Sequence, residues 1–385
     1  MISYFYASIR SMIERALEGL IRAKLGSGKA VIVMGARQVG KTTLLKRIFS
    51  DDGDVLWLNG DERDVQELFL NSSSTRLKAY FGKKRTVVID EAQRIEEVGL
   101  RLKTIVDQIP EVQLVATGIS AFELANRLNE PLTGRKWEYR MFPLSFGEMV
   151  AHHGLLEEKR MLPHRLVYGY YPEVVTHPGS EREILKELSD SFLYKDVLLL
   201  DQIKKPESLL RLLQALAFQV GSQVSYNELS IATGLDAKTV EKYVTVLEQA
   251  YVVFRLGSFS RNLRSELKKS RKIFFYDNGI RNALIANFNQ AESRLDNGAL
   301  WENFLVSERR KFLEYHRKAA NSWFWRTNEQ VEIDYIEEEG GRIEAYEFKW
   351  NRKAGYRTPR AFSNAYPDSR VAVVDPGNVE DFLLI

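Results

Sequence analysis

A phosphate-binding chemistry is written into Gly35-Ala36-Arg37-Gln38-Val39-Gly40-Lys41-Thr42, which follows an apolar run, Ala30 to Met34, with the pattern of a buried strand. The next residues, Thr43 to Phe49, read as a helix. Glycines at both ends leave the backbone free to wrap a phosphate chain, so that successive amides and the positive end of the helix point at anionic oxygen. Lys41 adds a full charge near the β- and γ-phosphates, and the Thr42 hydroxyl stands where such a loop holds Mg²⁺. A glycine turn that only caps a helix leaves the agreement of pattern and context unexplained. The expected ligands of Gly35 to Thr43 are ATP and Mg²⁺.

Thr86-Val87-Val88-Ile89-Asp90-Glu91 is a β-branched run ending in two carboxylates, as a buried parallel strand delivers acids to the ligand-binding edge of a sheet. Asp90, with Thr42, is expected in the Mg²⁺ shell. Glu91 is expected to polarise the attacking water as the catalytic base. Ala116-Thr117-Gly118-Ile119-Ser120 offers Thr117 and Ser120 as side chains that can reach the γ-phosphate, and a glycine turn capped by serine fits equally well. Arg135, in Leu132-Thr133-Gly134-Arg135, is a candidate finger on the transferring phosphate. An ordinary surface arginine explains it too.

A second group of acids lies near the C-terminus: Glu302 on an expected helix, Asp334 on a strand, and Glu347-Phe348-Lys349 on the next. The two-residue period of a strand puts Glu347 and Lys349 on one face. Carboxylates with an adjacent lysine can hold a divalent metal and aim water at a phosphodiester, so Glu302, Asp334 and Glu347, with Lys349, form a candidate second metal site. Alternating Glu and Lys also protects an exposed strand from pairing with other chains.

Taken together, the motifs at residues 35–45, 87–95, 116–120, 132–135 and 141–148 resemble the AAA-type ATPases of bacteria and archaea whose ATPase module is followed by a C-terminal domain of unknown function. The resemblance extends to Tyr168-Gly169-Tyr170-Tyr171-Pro172-Glu173 and Tyr194-Lys195-Asp196, and so spans most of the chain. It implies an ATPase carrying its own C-terminal module. Ile119 departs from the pattern, standing where a second small polar residue is expected, and leaves the phosphate sensor unassigned. Asp334 followed by Glu347-x-Lys349 resembles the PD-(D/E)XK nuclease superfamily, with Glu302 matching the acid of its first helix and Ile333 in place of its proline.

The elements that must position these residues imply an α/β protein in four parts. Residues 1–150 read as a three-layer P-loop NTPase domain with a mostly parallel sheet, led by an amphipathic helix from Ile9 to Leu25. Residues 151–205 read as a helical connector. In 206–280, a helix opened by Pro206, a capping box at Ser225 to Glu228, a turn at Gly234 and a helix capped by Asp236 precede two strands, a sequence that resembles a winged helix. Between those strands Arg255, Arg261, Arg264, Lys268, Lys269, Arg271 and Lys272 face a single acid, Glu266, as in a nucleic-acid footprint. A winged helix that only joins domains fits as well. Residues 281–385 read as an α/β nuclease-like domain.

Across its 385 residues the chain is 44% apolar and 28% charged, as a folded protein is, and its net charge of +3 leaves any nucleic-acid argument to local clusters. Having no cysteine, it has no disulfide framework and no Cys-ligated zinc. The N-terminus lacks the pattern of a secretory signal and no run has the length of a membrane span, so a cytoplasmic location without membrane contact is expected. The reading is a Mg-dependent ATPase that couples nucleotide state to a nucleic-acid-binding, nuclease-like half. Its rival is an ATP-gated protein-interaction switch or scaffold, and the oligomeric state is open.

Overall fold

The computed structural model describes residues 12–50, 53–70, 72–118, 132–191, 206–260, 270–327, 329–351 and 359–385. Two compact units emerge, one from Glu14–Pro143 with Gln249–Tyr251, the other from Leu144–Glu248 and Val252–Ile385 with Met12 and Ile13. Among the described residues no helix is long and apolar enough to cross a membrane.

In the first unit, β1 (Ala30–Gly35), β2 (Val55–Asn59), β3 (Thr86–Asp90), β4 (Gln113–Gly118) and β5 (Lys136–Met141) form one sheet in the order β2-β3-β4-β1-β5. Every pairing is parallel. Val31 to Met34 and Val87 to Ile89 are buried on both faces, the signature of parallel strands covered by helices. The expected N-terminal helix is shorter than its apolar stripe suggests. It spans only Leu17–Arg22, here α1, and residues 1–11 lie outside the description.

Because the strands run the same way, Gly35, Asp90 and Thr117 all reach one edge of this sheet, where α2 (Lys41–Ile48) begins. Glycine is required at position 35, since a Cβ there would overlap the backbone of Met141 on β5. The strand-loop-helix thus closes tightly over its neighbour before it turns into the helix.

The second unit opens with α3 (Phe146–His153), α4 (Leu155–Tyr168), α5 (Pro172–Thr176) and α6 (Glu181–Ser191). Then come α7 (Pro206–Phe218), β6 (Gln223–Val224), α8 (Tyr226–Thr233), α9 (Ala237–Gln249), β7 (Val253–Ser258) and β8 (Arg271–Phe275). Both N-cap side chains act as the sequence suggests, Ser225 Oγ accepting from Glu228 N and Asp236 Oδ1 from Thr239 N at 3.0 Å, but of the expected capping box only the serine half forms. After α10 (Asn278–Leu284) and the long α11 (Asn297–Tyr315), the chain adds β9 (Asn321–Arg326), β10 (Glu332–Glu339), β11 (Arg342–Phe348) and β12 (Arg370–Val374).

The seven strands among its described residues belong to one mixed sheet, ordered β12-β11-β10-β9-β7-β8-β6. The boundary expected at 280/281 therefore runs through a continuous sheet, with β7 parallel to β9 at Gly257↔Trp323 and Ser258↔Phe324. α11 is buried on most of its circumference, including Trp301, Phe304, Leu305 and the charged Glu308, Arg309 and Lys311.

The aromatic stretch at 168–173 has a structural explanation. Buried Asp277 caps α10 by accepting from Ile280 N at 3.1 Å, and it also accepts from Tyr170 N at 2.6 Å. Gly169 passes over that carboxylate at φ +71°, where a Cβ would overlap both carboxylate oxygens. Gly169→Ala is expected to lower stability by more than about 2 kcal/mol, because the left-handed backbone and the buried carboxylate each oppose the methyl group. Urea denaturation followed by circular dichroism reads the change. Tyr194 to Asp196 lie outside the described residues.

Candidate functional site

At the edge of the parallel sheet, Gly40 precedes α2 with φ +93°, and the helix begins with no side-chain cap. Its first amides therefore face the loop without a side-chain acceptor. Gln38 is also left-handed, at φ +58°, so the loop curls as a phosphate cradle requires. Lys41 is buried, and its ammonium donates to the carbonyls of Gly35 (3.0 Å) and Ala36 (2.8 Å).

Thr42 Oγ1 donates to Asp90 Oδ2 at 2.7 Å, joining the loop to the end of β3. The other Asp90 oxygen accepts from Thr117 Oγ1 at the end of β4 and from Glu91 N at 3.2 Å. Glu91 N lies 3.2 Å from Thr117 Oγ1 as well, and the Glu91 side chain accepts from Gln93 Nε2 at 2.6 Å. The residue adopts a left-handed backbone at φ +50°. A lysine, a helix N-terminus and hard oxygen donors converge here, which is the donor set that suits a polyphosphate with Mg²⁺.

Two supports of this site carry no motif. Arg15 donates to Val39 O (2.6 Å) and Phe142 O (2.7 Å), buttressing the loop. Gln93 holds the Glu91 carboxylate. An arginine twenty residues before the loop gives no local signal, whereas Gln93 lies two residues from an acid already singled out.

Arg135 is a correction. It immediately precedes β5, and Ala30 pairs with Lys136 while Gly35 pairs with Met141, so Arg135 sits at the opposite edge of the sheet from the loop. Five residues of strand separate the two edges by roughly 17 Å. Its guanidinium is paired with Asp107 at 2.6 Å. It takes no part in the nucleotide site of its own chain, and Arg135→Ala is expected to leave ATP affinity there within about twofold, as sites this far apart act independently. Calorimetric titration checks this. Ser120 lies outside the described residues.

In the second unit the structure brings Glu302 on α11 together with Asp334 on β10, and adds Glu332, two residues earlier on that strand; one oxygen from each lies within 4.8 Å of the others. Asp334 accepts from Phe348 N at 2.8 Å. Burial and the charge of Glu347 push its carboxyl up to about 6, against the pull of Lys272 and Lys349. Glu347 is instead hydrogen-bonded to Lys349 at 2.6 Å. Burial raises the Glu302 carboxyl to about 8 despite the attraction of Lys272.

Lys272 changes the reading of the basic run. Its ammonium lies 2.7 Å from Glu302 Oε1 and also contacts Glu332 Oε1, and the side chain is 1% exposed. Arg271 is paired with Glu241 and hydrogen-bonded to Tyr226, and Arg255 is paired with Glu248 at 2.6 Å. These three cations are spent on the protein itself. Arg261, Arg264, Lys268 and Lys269 lie outside the described residues.

Residues 27–150, which include the phosphate loop, match the family model described as "AAA domain". Residues 159–291 and 297–382 match two families described only as domains of unknown function, DUF8612 and DUF4143. An uncharacterised protein of Mycobacterium tuberculosis is 26% identical over 365 residues, covering 93% of this chain and 78% of its own length. Another, from Methanocaldococcus jannaschii, is 22% identical over 340 residues, covering 82% and 74%. Among solved structures, the Walker-type ATPase PABY2304 of Pyrococcus abyssi covers 71% of this chain and 96% of its own, at 13% identity and a TM-score of 0.48.

Proposed function

We propose that the first unit binds and hydrolyses Mg-ATP and that its nucleotide state sets the activity of the second. The observation that carries this is the hydrogen bond from Thr42 to Asp90 beside the buried Lys41, which assembles the cation-holding oxygens and the phosphate-binding charge at one sheet edge. The amides of the loop and of the first turn of α2 bind phosphate oxygens, and Lys41 exchanges its two carbonyl partners for them. Thr42 and Asp90 are the residues that would hold Mg²⁺, which when bound neutralises charge on the terminal phosphates. Glu91 orients water and takes its proton. Thr117, buried between Asp90 and the Glu91 amide, positions both and serves as the polar sensor. Mg²⁺-dependent phosphate release by the full chain tests the assignment.

In the second unit, the order α7, β6, α8, α9, β7, β8, with β8 antiparallel to both β6 and β7, supports a winged-helix reading. α11 packed against β8 and β11 of the same sheet supports a nuclease-like fold, and a fold of that kind does not by itself confer cleavage. A nucleic-acid partner would engage the loop between β7 and β8. The internal ion pairs of Arg255, Arg271 and Lys272 favour a second reading, in which this unit addresses a protein. Duplex DNA binding with a steep salt dependence supports the first, and its absence at low salt supports the second.

A further inference from the structure

Lys272 is the second residue of β8, and it points away from solvent into the acids of two other elements. Glu302 is on α11; Glu332 and Asp334 are on β10. Around them stand Arg326, 3.5 Å from Glu332, and the Glu347–Lys349 pair. An ammonium offers three donors and one compact charge. Here that charge is within hydrogen-bonding reach of Glu302 and Glu332, two of the three carboxylates whose oxygens approach one another within 4.8 Å.

The geometry has a consequence for metal binding. A divalent ion would have to bind the same carboxylate oxygens at about 2.0–2.2 Å. It would do so next to a lysine that already lies on two of them, and the two charges repel.

We infer that Lys272 is the resident cation of this cluster, a tethered ammonium seated where the nuclease reading expects a divalent metal. The site as built from Glu302, Asp334 and Glu347 does not fit a metal while Lys272 is in place. Its work is mechanical: one side chain from β8 pins α11 and β10, fastening the two halves of the seven-stranded sheet through charge as well as through the β7–β9 ladder. The carboxylates remain a latent site, which removal of the ammonium should open.

Thermal melts of the full chain without nucleotide, with and without Mn²⁺, test this. They do not depend on the ATPase reading, because no nucleotide is present and each comparison is made against Asp334→Asn, which leaves the first unit untouched. The parent and Asp334→Asn are expected to show the same response to Mn²⁺. Lys272→Met is expected to melt lower and to regain about 5 °C with Mn²⁺ near a hundred times its Kd. That gain should vanish in the Lys272→Met, Asp334→Asn double variant. A Mn²⁺ shift in the parent that Asp334→Asn abolishes would overturn the inference, and so would a folded Lys272→Met protein with no gain. Should Lys272→Met fail to fold, Glu302→Gln serves: a lower melting point with an unchanged Mn²⁺ response supports a seated lysine, and loss of a Mn²⁺ response present in the parent refutes it.

Discussion

In the Glu91→Gln protein, ATP is expected to bind as it does to the parent while phosphate release falls about 10²-fold or more. The amide matches the carboxylate in size and can still accept from Gln93 Nε2, so the turn after β3 keeps its shape. The backbone amide of residue 91 continues to serve Asp90 and Thr117, because the substitution leaves it in place. What disappears is the ability to take a proton from water. Equilibrium binding and single-turnover phosphate release, measured on the same sample, separate the two effects. Parent-level turnover in Glu91→Gln would remove this residue from the chemistry.

Lys41→Ala is expected to act on binding. Charge-assisted hydrogen bonds are worth about 1.5–3 kcal/mol, which corresponds to roughly a tenfold to hundredfold loss of ATP affinity. The substitution also leaves the Gly35 and Ala36 carbonyls without their buried donor, so the nucleotide-free protein should lose stability as well. Arginine cannot rescue it, since a planar fork does not fit where a compact ammonium is folded back onto its own loop. Fluorescent-nucleotide titration with a parallel thermal melt distinguishes weakened binding from unfolding, and an unchanged Kd would displace Lys41 from the phosphate site.

The nucleotide site was legible because its chemistry is local. Eight consecutive residues carry the loop, and the buried run ending at Asp90 announces both its strand and its edge. Arg135 is kept from the site of its own chain by the same rule: in a parallel sheet a residue that precedes a strand lies at the edge opposite to one that follows it. The basic run was legible only as composition. Charge counted along a sequence ignores internal partners, and Arg255, Arg271 and Lys272 find theirs on α9, α11 and β10. Glu332 shares a strand face with Asp334 and was within reach of the two-residue period. Lys272 was not, because nothing in the spacing of residues 272, 302 and 332 says that three elements meet there.

The β7–β9 ladder also bears on how such chains are inherited. The two family matches of the second unit end and begin at 291 and 297, yet β7 belongs to one and β9 to the other. A recombination event between them would leave each product with a bare strand edge, an invitation to intermolecular pairing. It would also part Lys272 from Glu302 and Glu332, stranding a buried charge in each fragment. Selection against these fragments would keep the two segments travelling together, so that what sequence comparison divides into two modules behaves in evolution as a single transmissible piece.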